Sequence, residues 1–159
     1  MMETSDAGVE MIISFEGIRL QAYRDVVGVW TIGFGHTGPE IGPSTTWTME
    51  QANDAFFARL ENEFEPAVNE VCDENTTQQQ FDAMVSLIYN IGVGSYATSK
   101  KKGTGFRGSS VARHHKAHEY EEAADAFRMW NLAKGRFLAP LAKRREVERR
   151  VYLTGEYPE

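Results

Sequence analysis

Glu16, Asp25 and Thr31 are the side chains whose types and spacing best suit chemistry, set nine and then six residues apart. A carboxylic acid, a carboxylate and a hydroxyl are what cleavage of a glycosidic bond needs. The acid protonates the leaving oxygen, the carboxylate stabilises oxocarbenium-like charge, and the hydroxyl helps to hold a water nucleophile. An acid that keeps its proton near neutral pH belongs beside apolar surface, because burial disfavours the charged form. Glu16 lies between Phe15 and Gly17, with Ile12 and Ile13 one turn back, which meets that condition. The second carboxylate belongs in a wetter place, and Asp25 heads the turn-forming run Asp25-Val26-Val27-Gly28. Taken by itself, Glu16 reads as a helix-end carboxylate in a salt bridge, since any acidic chain offers such Glu and Asp pairs.

The surrounding elements must bring the three together. Val9, Ile12, Ile13 and Glu16 recur at helical spacing, Ser5 suits the N-cap and Gly17 the stop. Glu16 therefore falls at the C-terminal end of an amphipathic helix, on its apolar side. Short β-type runs follow (Leu20 to Tyr23, then Val29 to Phe34), so residues 19–34 read as a hairpin, with a third strand expected after Gly38-Pro39. Thr31 on the returning strand would face Asp25 across that hairpin. Residues 35–46 read as loop. Beyond Thr48 the chain reads as helical. Thr48-x-x-Gln51 and Thr77-x-x-Gln80 are capping boxes, and the second opens the buried stripe Phe81, Met84, Val85, Ile88, Tyr89. Pro66 should break, kink or restart the helix begun at Thr48. Asn90-Ile91-Gly92-Val93-Gly94 ends the buried helix, residues 99–108 read as a basic, flexible loop, and helices are expected near 109–117, 119–130 and 140–153. The fold class is α+β.

Composition fits one soluble domain: 159 residues, 42% hydrophobic and 25% charged, with no run approaching a membrane span. The acidic start (Glu3, Asp6, Glu10) does not read as a secretory signal. Cys72 is the single cysteine, so an internal disulfide is excluded and a buried structural thiol is expected. The net charge of −6 is unevenly spread. Residues 131–153 hold seven basic side chains against Glu146 and Glu148, a local +5, which suggests a face for an anionic polymer or a solvated helix surface. Gly33-Phe34-Gly35-His36-Thr37-Gly38 matches G-x-G-x-x-G, but Pro39, Gly42 and Pro43 leave no room for the helix that a dinucleotide site requires. His114, His115 and His118 could place imidazoles on one helix turn, but no Cys or well-placed acid joins them, so no metal and no cofactor is expected. The last helix, with Leu141, Val147 and Val151 among Arg and Lys, leaves open a non-enzymatic binder of membrane or nucleic acid.

The run Phe15-Glu16-Gly17, Ala22-Tyr23-Arg24-Asp25, Gly28-Val29-Trp30-Thr31-Ile32-Gly33-Phe34-Gly35-His36-Thr37 closely resembles the active-site region of phage-type lysozymes, the endolysin family of glycoside hydrolases (family 24). Gln80 to Ser86, Asn90 to Gly94, Trp130-Asn131 and Leu141 to Glu148 resemble its central helix and C-terminal blocks, so the likeness runs from about residue 5 to 153. It implies a lysozyme-like single domain over 1–159, with a sheet lobe at about 18–47, a helical lobe from 3–17 and 48–153, and a cleft between them. It implies a muramidase that hydrolyses the β-1,4 bond between N-acetylmuramic acid and N-acetylglucosamine, by inversion, and so lyses a bacterial host. Glu16 would be the general acid, Asp25 would stabilise sugar charge and orient water, and Thr31 would help to place that water. Thr37, Tyr89 and Asn90 match cleft positions that bind substrate, although packing roles are nearly as natural for them. His36 would order its loop, and Lys143 or Arg144 would pair with Glu16. Peptidoglycan is the implied partner of a monomer without nucleic acid or membrane anchor. Such a protein waits in the host cytoplasm until a holin pore releases it to the cell wall or periplasm. A lytic transglycosylase acting on the same bond is the nearest alternative.

Overall fold

The computed structural model describes all residues from Met1 to Glu159. Helix α1 spans Asp6–Glu16, and its Ser5 cap accepts a hydrogen bond from the Gly8 amide at 3.1 Å. A three-stranded antiparallel sheet follows: β1 (Arg19–Arg24), β2 (Trp30–Gly33) and β3 (His36–Thr37), in that order. The third strand thus lies before Gly38-Pro39, not after it. Two tight turns, at 25–28 and 34–35, leave the chain already antiparallel by His36, so β3 forms there. The β1–β2 pairing runs Arg24↔Trp30, Tyr23↔Thr31 and then jumps to Arg19↔Gly33. Within that bulge β1 changes partner: Leu20 and Ala22 bond Trp47 and Thr45 through their backbones instead.

The remainder is helical. Helix α2 (Met49–Arg59) starts at a complete Thr48/Gln51 capping box. It runs through one π-helical turn, Leu60–Phe64, directly into α3 (Glu65–Asn69). Pro66 therefore does not break the helical path; it stands in the first turn of α3, where a helix was expected to restart. The wider turn before it absorbs the missing N–H, and it also places Leu60, Phe64, Ala67 and Val68 on one buried side. Helix α4 (Gln78–Ile91) has the second capping box and every residue from Gln80 to Tyr89 buried. It is the axis of the molecule, with α7, α1 and α3 packed around it. Short helices α5 (Ser110–Lys116) and α6 (Tyr120–Ala126, extended by a 3₁₀ turn to Met129) precede a small hairpin, β4 (Leu132–Ala133) and β5 (Arg136–Phe137). The last helix, α7, covers Ala139–Thr154. No helix is long and apolar enough to cross a membrane.

One hydrophobic cluster joins these helices to the sheet. Phe34 and Phe56 meet edge-on with ring centres 5.4 Å apart, and the Tyr89 ring lies 5.5 Å from Phe56 and 5.1 Å from Phe64. Such contacts each add about 0.5–1.5 kcal/mol beyond area burial. They fix the Phe34 turn against α4. Residues 99–108, expected to form a basic, flexible loop, are tied to the segment after α4: the Gly92 and Val93 carbonyls accept from Phe106 and Arg107, Ser95 pairs with Thr104, and Phe106 is fully buried beneath.

Candidate active site

Glu16 is the last residue of α1, and its carboxylate is held from two sides. Arg144 on α7 donates through Nη1 to Glu16 Oε2 at 2.6 Å. Gly35, with φ of +79°, lies over the other oxygen, so close that a Cβ there would stand 2.7 Å from Glu16 Oε1. That backbone conformation and that approach both demand glycine. The partner of Glu16 is thus Arg144, not Lys143, whose side chain is exposed.

Arg144 is itself fixed at every nitrogen. Its Nη2 donates to the Ser86 carbonyl at 3.0 Å, its Nε to Glu148 Oε2 at 3.2 Å, and its guanidinium stacks 4.7 Å from the Phe15 ring. Glu148 is fully buried and also meets Arg145, at 2.7 Å, and the Ser86 hydroxyl, at 2.5 Å. Two arginines and two glutamates therefore balance each other inside the protein. Burial lowers the basicity of Arg145, and Glu148 opposes that shift. With Arg144 and Arg145 turned inward and Val151 and Tyr152 in the core, α7 has spent its buried apolar side chains and two of its five basic residues on the fold. Arg149 pairs with Asp125 and Arg150 with Glu156. The reading of this helix as a membrane or nucleic-acid binder falls with that.

Asp25 follows β1 and closes the hairpin turn. Its Oδ1 accepts from the Val27 and Val29 amides, both at 2.9 Å, while Oδ2 makes no hydrogen bond within the protein. Thr31 lies on β2, where its hydroxyl donates to the Val29 carbonyl at 2.9 Å. One peptide residue, Val29, thus ties the Asp25 carboxylate to the Thr31 hydroxyl. Tyr23, which pairs with Thr31, registers both carboxylates. Burial pushes its phenol up, Arg19 (4.5 Å over the ring) opposes this, and the charges of Glu16 and Asp25 add to it. Tyr23 thus pairs with Thr31 through the sheet and feels the charge of both carboxylates.

Beyond Asp25 the turn overhangs a cleft. A cavity of 490 Å³ is lined by Val26 of the turn, Asn90 and Ile91 at the end of α4, and Trp130, Leu132 and Leu138 around the β4–β5 hairpin. A neighbouring one of 420 Å³ continues between Val26, Val27 and Ala133, Lys134, Arg136. Asn90 is exposed on this wall and Thr37 is exposed at the end of β3. Tyr89 differs: it is buried, with its hydroxyl given to the Phe34 carbonyl, so it supports the turn over Glu16 and presents no polar group to the cleft. Burial and the nearby Glu16 charge push its phenol well above the usual range, so it remains a donor. His36 lies beside Trp47, with the rings tilted at 49° and their centres 5.1 Å apart, and hydrogen-bonds Glu40 at 3.1 Å, an ordering role. Sequence reasoning missed the β4–β5 hairpin and Gly35. The signals were Lys134-Gly135, a two-residue turn with both φ positive, and the second glycine of Gly33-Phe34-Gly35.

Residues 13–148 match the phage lysozyme family model. The chain belongs to the phage lysozyme family. An endolysin of Bacillus phage B103 is 36% identical over 98% of this chain, which spans 56% of that relative's length, so the chain is little more than half as long as such curated relatives. Among solved structures, an endolysin from Escherichia coli O157:H7 phage FAHEc1 superposes with a TM-score of 0.81 at 34% identity, covering 99% of this chain and 98% of the other. The muramidase domain of SpmX from Asticaccaulis excentricus gives 0.76 at 36% identity, covering 97% and 99%. The lysozyme-like α+β fold anticipated from the sequence is the fold observed.

The other histidines have protein partners. His114 pairs with Glu119 and His118 with Asp73, while His115 is buried between Thr76 and Tyr152. Cys72 is half-buried, donates to the Val68 carbonyl at 3.2 Å, and is pushed up to about 11 by burial, so it is a poor nucleophile near neutral pH.

Proposed function

We propose that this phage lysozyme family member is a muramidase: a peptidoglycan hydrolase that cuts the β-1,4 bond between N-acetylmuramic acid and N-acetylglucosamine with inversion. The observation that carries the reading is the Glu16–Asp25–Thr31 arrangement. One carboxyl group at a helix end is held by Arg144 and covered by Gly35, and a second carries a free oxygen and is linked through Val29 to a hydroxyl. Asp25 adjoins Val26, a residue that lines the open cleft. Glu16, in its protonated form, donates to the glycosidic oxygen as the bond breaks. Asp25 Oδ2 faces the positive charge that develops at the anomeric carbon and accepts a proton from the attacking water. Thr31 fixes the position of that water. Inversion requires water between the two carboxyl groups, on the face away from the leaving group. Asn90 and Thr37, both exposed, serve as glycan contacts on the two sides of the cleft.

The same reading takes residues 1–159 as one lysozyme domain acting as a monomer, with sheet and helical lobes meeting at the cleft. It places the protein in the host cytoplasm until a holin admits it to the wall. Digestion of purified peptidoglycan followed by mass analysis of the products tests the chemistry. Hydrolysis yields reducing ends, whereas 1,6-anhydro ends, one water lighter, would make the protein a transglycosylase. Glu16→Gln and Asp25→Asn should each abolish wall clearing while leaving the thermal unfolding cooperative. Clearing at the parental rate by Glu16→Gln would remove the reading.

A further inference from the structure

We infer that the hairpin at residues 95–104 is a docking surface for a phosphodiester polymer attached to the bacterial cell wall. From Ala83 to His118 the chain has six Lys and Arg and no Asp or Glu, although the whole chain has 23 acidic residues against 17 basic. Lys100, Lys101 and Lys102 stand consecutively at the hairpin tip. All three are exposed, and none has a carboxylate within ion-pair distance. Arg107 and Tyr96 at its base are instead bound to Glu70, with Arg107 at 2.6 and 3.0 Å, and Lys116 lies near enough to help lower that carboxyl's pKa. The acid serves as an anchor and leaves the lysines uncompensated.

The hairpin is built to hold these charges out. Thr98 Oγ1 accepts from the Lys100 and Lys101 amides at 3.3 and 3.0 Å, and the Thr98 amide donates to the Lys101 carbonyl at 2.9 Å. Below, Gly94 and Gly105 let two backbone segments touch where any Cβ would collide. Three like charges fixed side by side repel one another, and the repulsion is relieved when a polyanion neutralises them and releases its own counterions.

The chemistry of the tip selects the polymer. No aromatic residue lies between Ala97 and Gly105 to stack on a base, and Tyr96 is occupied by Arg107 and Glu70. No large apolar residue accompanies the lysines to enter a lipid surface. Lysine ammonium groups act as point charges that suit evenly spaced phosphates without bidentate geometry. The hairpin follows directly from the end of α4, which carries Asn90 into the cleft. A wall-attached polymer held there keeps the cleft beside its glycan, a purpose that rests on the muramidase reading.

The test is co-sedimentation of the full chain, in a Glu16→Gln background that spares the walls. The walls either carry their phosphodiester polymer or have been stripped of it. With Lys100→Ser, Lys101→Ser and Lys102→Ser combined, binding to polymer-bearing walls should fall about tenfold, and its salt dependence should flatten, with stripped walls bound as before. In the presence of Glu16 the same triple variant should clear stripped walls at the parental rate. Undiminished binding to polymer-bearing walls, equal loss on stripped walls, or an equal lysine-dependent affinity for duplex DNA or anionic lipid vesicles would each overturn the inference. If the parent chain fails to clear any wall, the muramidase reading fails on its own, and the sedimentation still decides the docking surface.

Discussion

At the scale of single residues, the site depends on the groups that hold the Glu16 carboxylate in place. Gly35 can be replaced only at a cost in geometry. A methyl group there must adopt φ near +79° and displace the Glu16 carboxylate from 2.7 Å. Gly35→Ala should therefore cost about 1–3 kcal/mol of stability through strain. It should slow wall clearing about a hundredfold, because a misplacement of about 1 Å is enough for such a loss. Urea denaturation and turbidity measurements on one preparation check both numbers, and a Gly35→Ala enzyme of parental rate would show that the carboxylate does not need this cover. Arg144 is the second such group. Arg144→Met leaves Glu16 and the fully buried Glu148 short of a cation, so unfolding should become about 3–5 kcal/mol easier, the usual consequence of removing one partner from a buried pair. The sequence narrowed this partner to Lys143 or Arg144 and no further. Which of two adjacent basic residues faces α1 depends on the rotational phase of α7, and that phase is set by Val151 and Tyr152 in the core, not by the local pattern.

At the scale of elements, the helices and the hairpin follow from local chemistry where it is strong. Two capping boxes, a stripe at helical spacing and an Asp-to-Gly turn placed α2, α4 and the β1–β2 turn. The π turn at Leu60–Phe64 was not legible because it answers a distant demand, the seating of Phe64 against Tyr89, together with Pro66. The β4–β5 strands were missed because two residues per strand carry no periodicity. Helix α5 offers a measurable consequence of packing. His115 joins Tyr152 on α7 (2.6 Å) to Thr76 ahead of α4 (3.0 Å), and burial lowers its pKa to about 4, with Asp73 opposing and His118 reinforcing the shift. An imidazole that titrates near 6.5 when unfolded and about 4 when folded gives its full stabilisation above pH 6.5. It loses that stabilisation as pH falls from there to about 4, because the unfolded chain takes up the proton first. A His115→Gln variant should lack this component. Plotted against pH, the stability difference between parent and variant should shrink by about 3 kcal/mol between pH 6.5 and 4. A constant difference would mean that His115 does not titrate on unfolding.

For the whole molecule, the question is what keeps α1, and so Glu16, in register with α4 and α7 when the site sits at one end of α1 only. The other end is locked by Asp82, fully buried on α4. It accepts from the Ser5 amide (3.1 Å), the Ser5 hydroxyl, Gln78 (2.9 Å) and the Tyr157 hydroxyl (2.5 Å). Gly8 lets α1 approach so closely that a Cβ would stand 2.6 Å from Asp82 Cγ. One carboxylate thus gathers the first turn of α1, the first turn of α4 and the segment after α7. Burial and the Asp82 hydrogen bond push the Tyr157 phenol well above its usual range, so it stays a donor across the neutral range. Tyr157→Phe removes one bond to a charged acceptor and should cost about 1.5–3 kcal/mol, and Asp82→Ala, which strands several donors at once, should cost more. Because Arg144 and Gly35 hold the Glu16 end independently, wall clearing well below the melting temperature should keep its parental rate in Tyr157→Phe while thermal unfolding shifts downward. A loss of rate equal to the loss of stability would mean instead that the two ends of α1 act as one unit, and that the site is positioned from the chain termini as much as from the cleft.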